Sequence, residues 1–365
     1  MNRTIKGQEQ VLVLLSSATS QDRIAQAYLF HGSDGSGKFL TALYFGMMLN
    51  CLAEEEQRPC GVCQSCRKFL ALEHPDLIYL FPSTNLRMSA EGEIRDKEAH
   101  KEYDAYIQNK INTPWVDYFF SGNTEIRRDS MNLLIRRLEL SKHEGRKRIV
   151  IIENCDMMNT QTANSFLKTL EEPPANTVII LTTERMSNIL PTIISRCQPV
   201  YFKPLSQNVI SEILVSEFGA ESHNARSAAR ISGGNLKTAI RIAQNVGGGA
   251  RDRAYELFEM ARDDKALEYL TQLGKNRESA DALIDHIANV QIIANDLAVF
   301  SIAAQEIINL DKAAWYQAFA QDELADRLPD YLLTLSDISR KLSGNVNPQL
   351  AMIKLFLSTK QFLGA

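Results

Sequence analysis

Long apolar runs are what this sequence most lacks. No stretch comes close to the roughly 20 consecutive apolar residues that a bilayer span needs. The opening Met1-Asn2-Arg3-Thr4-Ile5-Lys6-Gly7 has no apolar core of the kind a secretory leader carries. A cytoplasmic, reducing setting is therefore expected, and there the six cysteines are not a disulfide framework. A net charge of −4 leaves no basic excess for coating nucleic acid, so any DNA contact is local or supplied by partners. Internal repeats and low-complexity tracts are also missing. What remains is an ordinary globular composition over 365 residues, long enough for two or three domains with separate cores.

The most informative stretch is Gly32-Ser33-Asp34-Gly35-Ser36-Gly37-Lys38. A strand-like run, Ala27-Tyr28-Leu29-Phe30-His31, enters it, and a helical pattern with Leu40, Leu43 and Met47 on one face leaves it. Glycines let consecutive N–H groups turn toward one anion, the helix N-terminus adds partial positive charge, and Lys38 reaches the terminal phosphates. The spacing is G-x-x-x-x-G-K, but Phe39 stands where a Ser or Thr would hold Mg²⁺. Thr41 cannot replace it, because two residues along a helix is about 200° of rotation. Phosphate binding is expected, and efficient Mg²⁺-dependent hydrolysis is not. A first helix with Val11, Leu12, Leu14 and Leu15 on its buried side leads into the loop.

Cys51, Cys60, Cys63 and Cys66 form the second cluster. Two overlapping C-x-x-C steps and one upstream cysteine give four thiolates, which close a structural zinc site with no open position. An iron–sulfur cluster is the rival; Arg67-Lys68-Phe69 follows in place of the C-x₃-C-P continuation, so zinc leads. Cys155 and Cys197 read as core residues. His74–Pro82 reads as a strand closed by proline. From Ser83 to about Glu125 the chain becomes polar (Glu91, Glu93, Arg95, Asp96, Lys97, Glu98), with an aromatic patch at Trp115, Tyr118, Phe119 and Phe120. This is expected to be a surface insertion whose aromatics pack locally.

Met131, Leu134, Ile135, Leu138 and Leu140 form a helical pattern, with Arg127, Arg128, Arg136 and Arg137 on its solvated face. The buried strand Arg148–Ile152 ends in Glu153-Asn154. Nucleotide hydrolases place Asp-Glu there, one carboxylate for Mg²⁺ and one to polarise water. Glu153 keeps a charge, one methylene too long; Asn154 cannot accept a proton. Next come a helix, Ala163-Asn164-Ser165-Phe166-Leu167-Lys168-Thr169-Leu170-Glu171-Glu172, stopped by Pro173-Pro174, and a second buried strand, Thr177–Thr183. The alternation predicts a parallel α/β sheet. From Lys203 onward the pattern is all helical, with Ile210, Ile213 and Leu214 opening a module that ends at the Gly247-Gly248-Gly249 linker. Within it, Lys237 sits in a first helical turn, the place of an anion contact or of an ordinary surface lysine. Beyond the linker, Ala254, Leu257, Phe258 and Ala261 share a face, as do Leu283, Ile287, Val290 and Ala294.

Together the Ala27–Lys38 entry, the cysteine spacing, the LKTLEEPP stretch and Ser195-Arg196-Cys197 resemble the bacterial clamp-loader group of AAA+ proteins, the gamma/tau and delta-prime subunits of DNA polymerase III. The resemblance covers about residues 1–247. It implies a RecA-like AAA+ domain with its zinc module over 1–203, a helical lid over 204–247 and a helical collar for oligomerisation over 250–365. It also assigns roles. Gly32, Gly35, Ser36, Gly37 and Lys38 match the Walker A phosphate contacts, and Glu153-Asn154 stands at Walker B. Thr182 or Thr183 stands at sensor 1, and Lys237 stands where sensor 2 usually has arginine. Arg196 resembles the arginine finger that reaches the nucleotide of a neighbouring subunit.

Phe39, Glu153, Asn154 and Lys237 each weaken the chain's own ATP chemistry, whereas Arg196 is intact. That is the delta-prime pattern. It implies a pentameric hetero-oligomer with gamma/tau and delta, acting on the sliding clamp and primer–template DNA, with ATP or ADP in the cradle. An active gamma/tau-type ATPase is the first rival, and a zinc-dependent nucleic-acid-binding module is the rival of another class. An AAA+ protein with an unrelated remodelling function is the third.

Overall fold

The computed structural model describes residues 5–86, 89, 92–116, 118, 120, 122–140, 144–244, 249–275, 280–319, 323–343 and 347–364. Met1 to Thr4, Glu91, Phe119 and the Gly247-Gly248 part of the linker lie outside them. The chain divides into two compact units, Met1–Leu205 and Ser206–Ala365.

The first unit is built on a sheet of five parallel strands: β1 (Ala27–Gly32), β2 (Leu77–Leu80), β3 (Arg148–Ile152), β4 (Thr177–Thr183) and β5 (Gln198–Phe202), in the order β2-β3-β4-β1-β5. Its helices are α1 (Glu9–Ser20), α2 (Lys38–Asn50), α3 (Gln64–Leu70), α4 (Lys97–Asn112), α5 (Arg128–Glu139), α6 (Thr160–Glu171) and α7 (Pro191–Ile194). β3 and β4 are buried along their whole length, as β-branched runs covered on both faces must be. The strand alternation splits the core in two. Tyr28, Phe30, Ile149, Ile151, Val178 and Ile180 face α1 and α2, while Leu29, Val150, Ile152, Ile179 and Leu181 face α5, α6 and α7. Glu153 and Thr182 follow the first set by the same alternation, so both open on the α2 face at the carboxyl ends of their strands.

Local signals explain the helix bounds. Asn159 caps α6 by accepting from the Thr162 N–H at 2.9 Å, and the helix stops two residues before Pro173. Two apolar positions differ from expectation. In α1 only Val11 and Leu15 reach the core, while Leu14 is 38% exposed, because neighbours 100° apart cannot all share a narrow buried stripe. Leu140 follows the end of α5 in extended backbone and is exposed. Cys155 and Cys197 are buried core residues, as the sequence implied.

The second unit is all helical: α8 (Gln207–Phe218), α9 (Ser222–Ile231), α10 (Leu236–Gln244), α11 (Gly249–Arg262), α12 (Ala266–Lys275), α13 (Ala280–Ala303), α14 (Ala313–Phe319), α15 (Leu324–Ser343) and α16 (Pro348–Leu363). Ala282–Ala303 corrects the expectation that no segment is long and apolar enough to cross a bilayer, for it passes on length and composition. Within its most apolar 18 residues 72% are buried, as in the core helix of a bundle. Its buried Asp296 is fully engaged. The Ile308 and Asn309 N–H groups donate to it at 2.9 Å, the Asn309 amide at 3.0 Å and the Tyr316 hydroxyl at 3.1 Å.

Candidate functional site

The loop between β1 and α2 is a turn that only glycine permits at its ends. Gly32, Gly35 and Gly37 have φ of +147°, +66° and +92°, and a Cβ on Gly32 would collide with the Phe202 carbonyl. Lys38 opens α2 and is buried, its ammonium donating to the carbonyls of Gly32 at 3.0 Å and Ser33 at 2.7 Å. Ser36 donates to the Ser33 carbonyl at 2.7 Å, and Gln8 ties the Ser36 and Lys203 carbonyls at 3.1 and 2.8 Å. The Asp34 carboxylate accepts from the Gly35 N–H at 2.8 Å. Burial, with the Lys38 charge adding to it, pushes the His31 pKa down. The result is a rigid, locally cationic turn at a helix N-terminus, the kind of structure that receives a phosphate.

Next to it the chemistry changes. Phe39 is buried, its ring 5.2 Å from that of Tyr79. Thr41 turns away, its hydroxyl donating to the Gly37 carbonyl at 2.9 Å. Glu153, at the end of β3, lies in a polar knot. One oxygen accepts from the Lys110 ammonium at 2.6 Å, and the other accepts from the Tyr106 hydroxyl at 3.0 Å and from the Tyr79 hydroxyl. Tyr79 and Tyr106 are themselves 2.9 Å apart at their hydroxyls. Burial, reinforced by the Glu153 charge and Tyr106, pushes the Tyr79 pKa well above its ordinary value. The Lys110 ammonium also lies 4.8 Å over the Phe39 ring. Mg²⁺ does not fit this arrangement: the positions that would face it hold a phenyl ring and a carboxylate already paired with a lysine.

The adjacent strand separates the two threonines. Thr182, on the α2 face, accepts from the Asn154 N–H at 3.1 Å. Thr183 points to the opposite face, where its hydroxyl donates to Asp156 at 2.8 Å. Arg196 lies just beyond α7 with its side chain 32% exposed. It donates to the Thr192 carbonyl at 2.8 Å and pairs with Glu171 at the end of α6, so these contacts lie on elements other than the loop. Lys237 belongs to the second unit, half-buried in the first turn of α10.

The four cysteines converge. Their sulfurs all lie within 4.8 Å of one another, and Cys51 and Cys63 are 3.9 Å apart. A tetrahedral ion with sulfurs at about 2.3 Å sets edges of about 3.8 Å, so the donor set fits one ion. The N–H groups of Cys60, Cys63 and Cys66 donate to the sulfurs of Cys51, Cys60 and Cys63 at 3.4, 3.3 and 3.4 Å. Backbone donors, from Val62 and then Cys63, bring the Cys60 thiol down to about 6, while burial pushes the Cys66 thiol up.

Sequence reasoning did not assign Gln8, Asp156, Tyr79, Tyr106 or Lys110 to the site. The polar segment that supplies two of them is not merely surface. Its base is closed by a Ser83–Glu125 bridge, and its aromatics pack locally: Tyr118 and Phe120 lie 5.7 and 5.2 Å from Tyr106, which stacks at 3.9 Å on Phe81. The available signal was Tyr103, Tyr106 and Lys110 at helical spacing in an otherwise charged helix.

A family model described as DNA polymerase III, delta subunit matches residues 7–206. Over 368 residues the chain is 24% identical to the DNA polymerase III subunit delta' of Bacillus subtilis (strain 168), covering 97% of this chain and 96% of that one. Over 295 residues it is 28% identical to the DNA polymerase III subunit tau of Escherichia coli (strain K12), covering 78% of this chain and 40% of tau. Among solved structures, a DNA polymerase III gamma-subunit-related protein of Thermotoga maritima aligns over 96% of this chain and 99% of its own, at 15% identity and a TM-score of 0.42.

Proposed function

The chain belongs to the DNA polymerase III delta-subunit family of clamp-loader proteins, and from that premise we propose that it is the passive, delta-prime-type member of a clamp loader. In this reading it assembles with gamma/tau and delta subunits into a pentamer that opens the sliding clamp and places it on primer–template DNA. It works in the cytoplasm. Its loop takes ATP or ADP and hydrolyses it poorly or not at all, and it presents Arg196 to the nucleotide of a neighbouring ATPase subunit. Residues 1–203 are the nucleotide-type domain, 204–247 the lid and 250–365 the collar. The four cysteines hold a structural zinc ion, whose chemistry would be to neutralise the thiolates and fasten the segment between α2 and α3.

One asymmetry carries this reading. The chain's own metal-side residues, Phe39 and Glu153, are engaged with Lys110, whereas Arg196 keeps a third of its side chain open on a different edge of the unit. A guanidinium that acts on a neighbour needs exposure and a fixed planar fork, and it needs nothing from its own cradle.

The test is reconstitution with an active clamp-loader ATPase, comparing this chain with Arg196→Ala. Loss of a trans-acting arginine lowers stimulated turnover by about 10³-fold or more; unchanged turnover removes the role. ATP turnover by the isolated chain, abolished by Lys38→Ala, would instead support the motor reading. Steeply salt-dependent DNA binding lost on chelation would support the zinc-dependent nucleic-acid module.

A further inference from the structure

We propose that Lys110 is a built-in replacement for a divalent cation: α4 carries its ammonium group into the place beside the phosphate loop where Mg²⁺ would sit, so the site receives phosphate without metal. This deepens the reading of the loop as a non-hydrolysing phosphate site and rests on it.

In a fold of this type two side chains mark a metal's place: the one directly after the loop lysine and the carboxylate that ends β3, one strand removed from β1. Here both touch one ammonium group. Lys110 is 2.6 Å from a Glu153 oxygen and 4.8 Å from the centre of the Phe39 ring. Both charged side chains are nearly buried, at 9% and 11% exposed. The remaining Glu153 oxygen accepts from the Tyr79 and Tyr106 hydroxyls, so donors from this chain already serve both oxygens. A hard dication needs several oxygen ligands in a tight octahedron. Phe39 offers none, and Glu153 would have to release its lysine.

The same contacts explain residues that are otherwise departures. A phenyl ring is a poor metal ligand but a good face for an ammonium ion. A glutamate, one methylene longer than aspartate, reaches out to meet a lysine arriving from another helix. Neither charge can be buried alone without a large desolvation cost, so each holds the other in place. The segment 83–125 therefore does more than cover the surface. Its base is pinned by the Ser83–Glu125 bridge, and its helix is pinned at the end of β3 by the Lys110–Glu153 pair.

The full chain is titrated with Mn²⁺, followed by the electron paramagnetic resonance signal of the free ion, with and without ADP. ADP binding is read separately by fluorescence of a labelled analogue. Wild type is expected to take up no Mn²⁺ through Glu153 up to about 1 mM, with or without ADP. Lys110→Met frees the carboxylate and is expected to take up one Mn²⁺ at least about tenfold more tightly. The double variant Lys110→Met/Glu153→Gln loses that uptake again. Wild-type uptake that disappears in Glu153→Gln overturns the proposal. So does a Lys110→Met chain that melts cooperatively and still binds no Mn²⁺. Should that variant fail to fold, Lys110→Gln, which keeps one hydrogen-bond donor toward Glu153, enters the same titration. Mn²⁺ uptake by the folded Lys110→Gln chain supports the proposal, and no uptake overturns it. Absence of ADP binding in wild type removes the phosphate-site reading, while the Mn²⁺ titration without nucleotide still decides the role of Lys110.

Discussion

Between α2 and α3 four sulfurs gather within 4.8 Å, with backbone N–H groups donating to them; at the end of β3 a carboxylate gathers two tyrosine hydroxyls and a buried lysine. Both are clusters of cation-ligand residue types. The sulfur cluster receives only partial charges from backbone N–H groups, and each thiolate formed raises the cost of the next. The carboxylate has a whole positive charge from its own chain. A cluster of ligand-type residues therefore signals a metal only where the fold brings no competing cation to it.

The contrast can be broken most forcefully at the cysteines. On the proposed zinc reading, a strong chelator, or Cys63→Ser, is expected to unfold the segment over 51–66, since structural zinc contributes on the order of 10 kcal/mol to such modules. Hydrogen exchange reads this directly, with protection lost around α3 and kept in β3. A chelator that changes nothing would put both places in the same class.

At Glu153 the expected loss is smaller. Lys110→Met leaves a buried carboxylate without its countercharge and costs about 3–5 kcal/mol in urea unfolding, while the double variant with Glu153→Gln recovers most of it. Two single variants that cost as much together as the sum of each alone would show that the pair is not coupled.

A third buried group sharpens the distinction between paired and unpaired. Burial, with the Arg253 charge adding to it, pushes His286 in α13 from 6.5 down to about 4, against a small opposing effect of the Ala250 backbone. Its folded-state value lies below its unfolded one, so between pH 6.5 and 4 the unfolded chain binds a proton that the folded chain does not. Stability falls as pH falls through that window, by about 3 kcal/mol at its lower end. Replacing His286 with Leu should flatten that part of the pH–stability curve; an unchanged slope would show that other groups set it.

The weakest case is the pair of Arg196 with Glu171, whose side chains are 32% and 49% exposed. Glu171→Gln is expected to change stability by no more than about 1 kcal/mol. A loss well beyond that would mean the guanidinium is fastened as part of its own unit, which opposes a role toward a neighbour.

Features carried by contiguous residues were legible at once. The phosphate loop needs glycines at fixed offsets and a lysine at the helix start, and all of these lie within seven positions. The cysteines sit in one short segment for the same reason, since a tetrahedral site of this kind is closed locally. The buried strands announced themselves by runs of β-branched residues. Periodicity misled where it was read too broadly. Leu14 and Leu140 fell on plausible apolar positions but face outward, and α13 resembles a membrane span only until its burial among other helices is known.

The sequence alone determined four of the five sheet strands, the loop, the four thiols, the missing metal ligand at Phe39 and the missing water-polarising carboxylate at Asn154, because each is a matter of residue type at short range; it did not disclose β5 or α4. What took the ligands' place was decided only in three dimensions. Lys110 lies 43 residues from Glu153 in a segment whose composition reads as solvent-facing. Only the packing of Tyr106 on Phe81 turns one side of α4 inward and brings that ammonium group to the carboxylate. The choice of Thr182 over Thr183 for the α2 face has the same origin, since strand register sets which of two adjacent hydroxyls a face receives. Charge pairing across the core depends on distance in space, and no pattern along the chain encodes that distance.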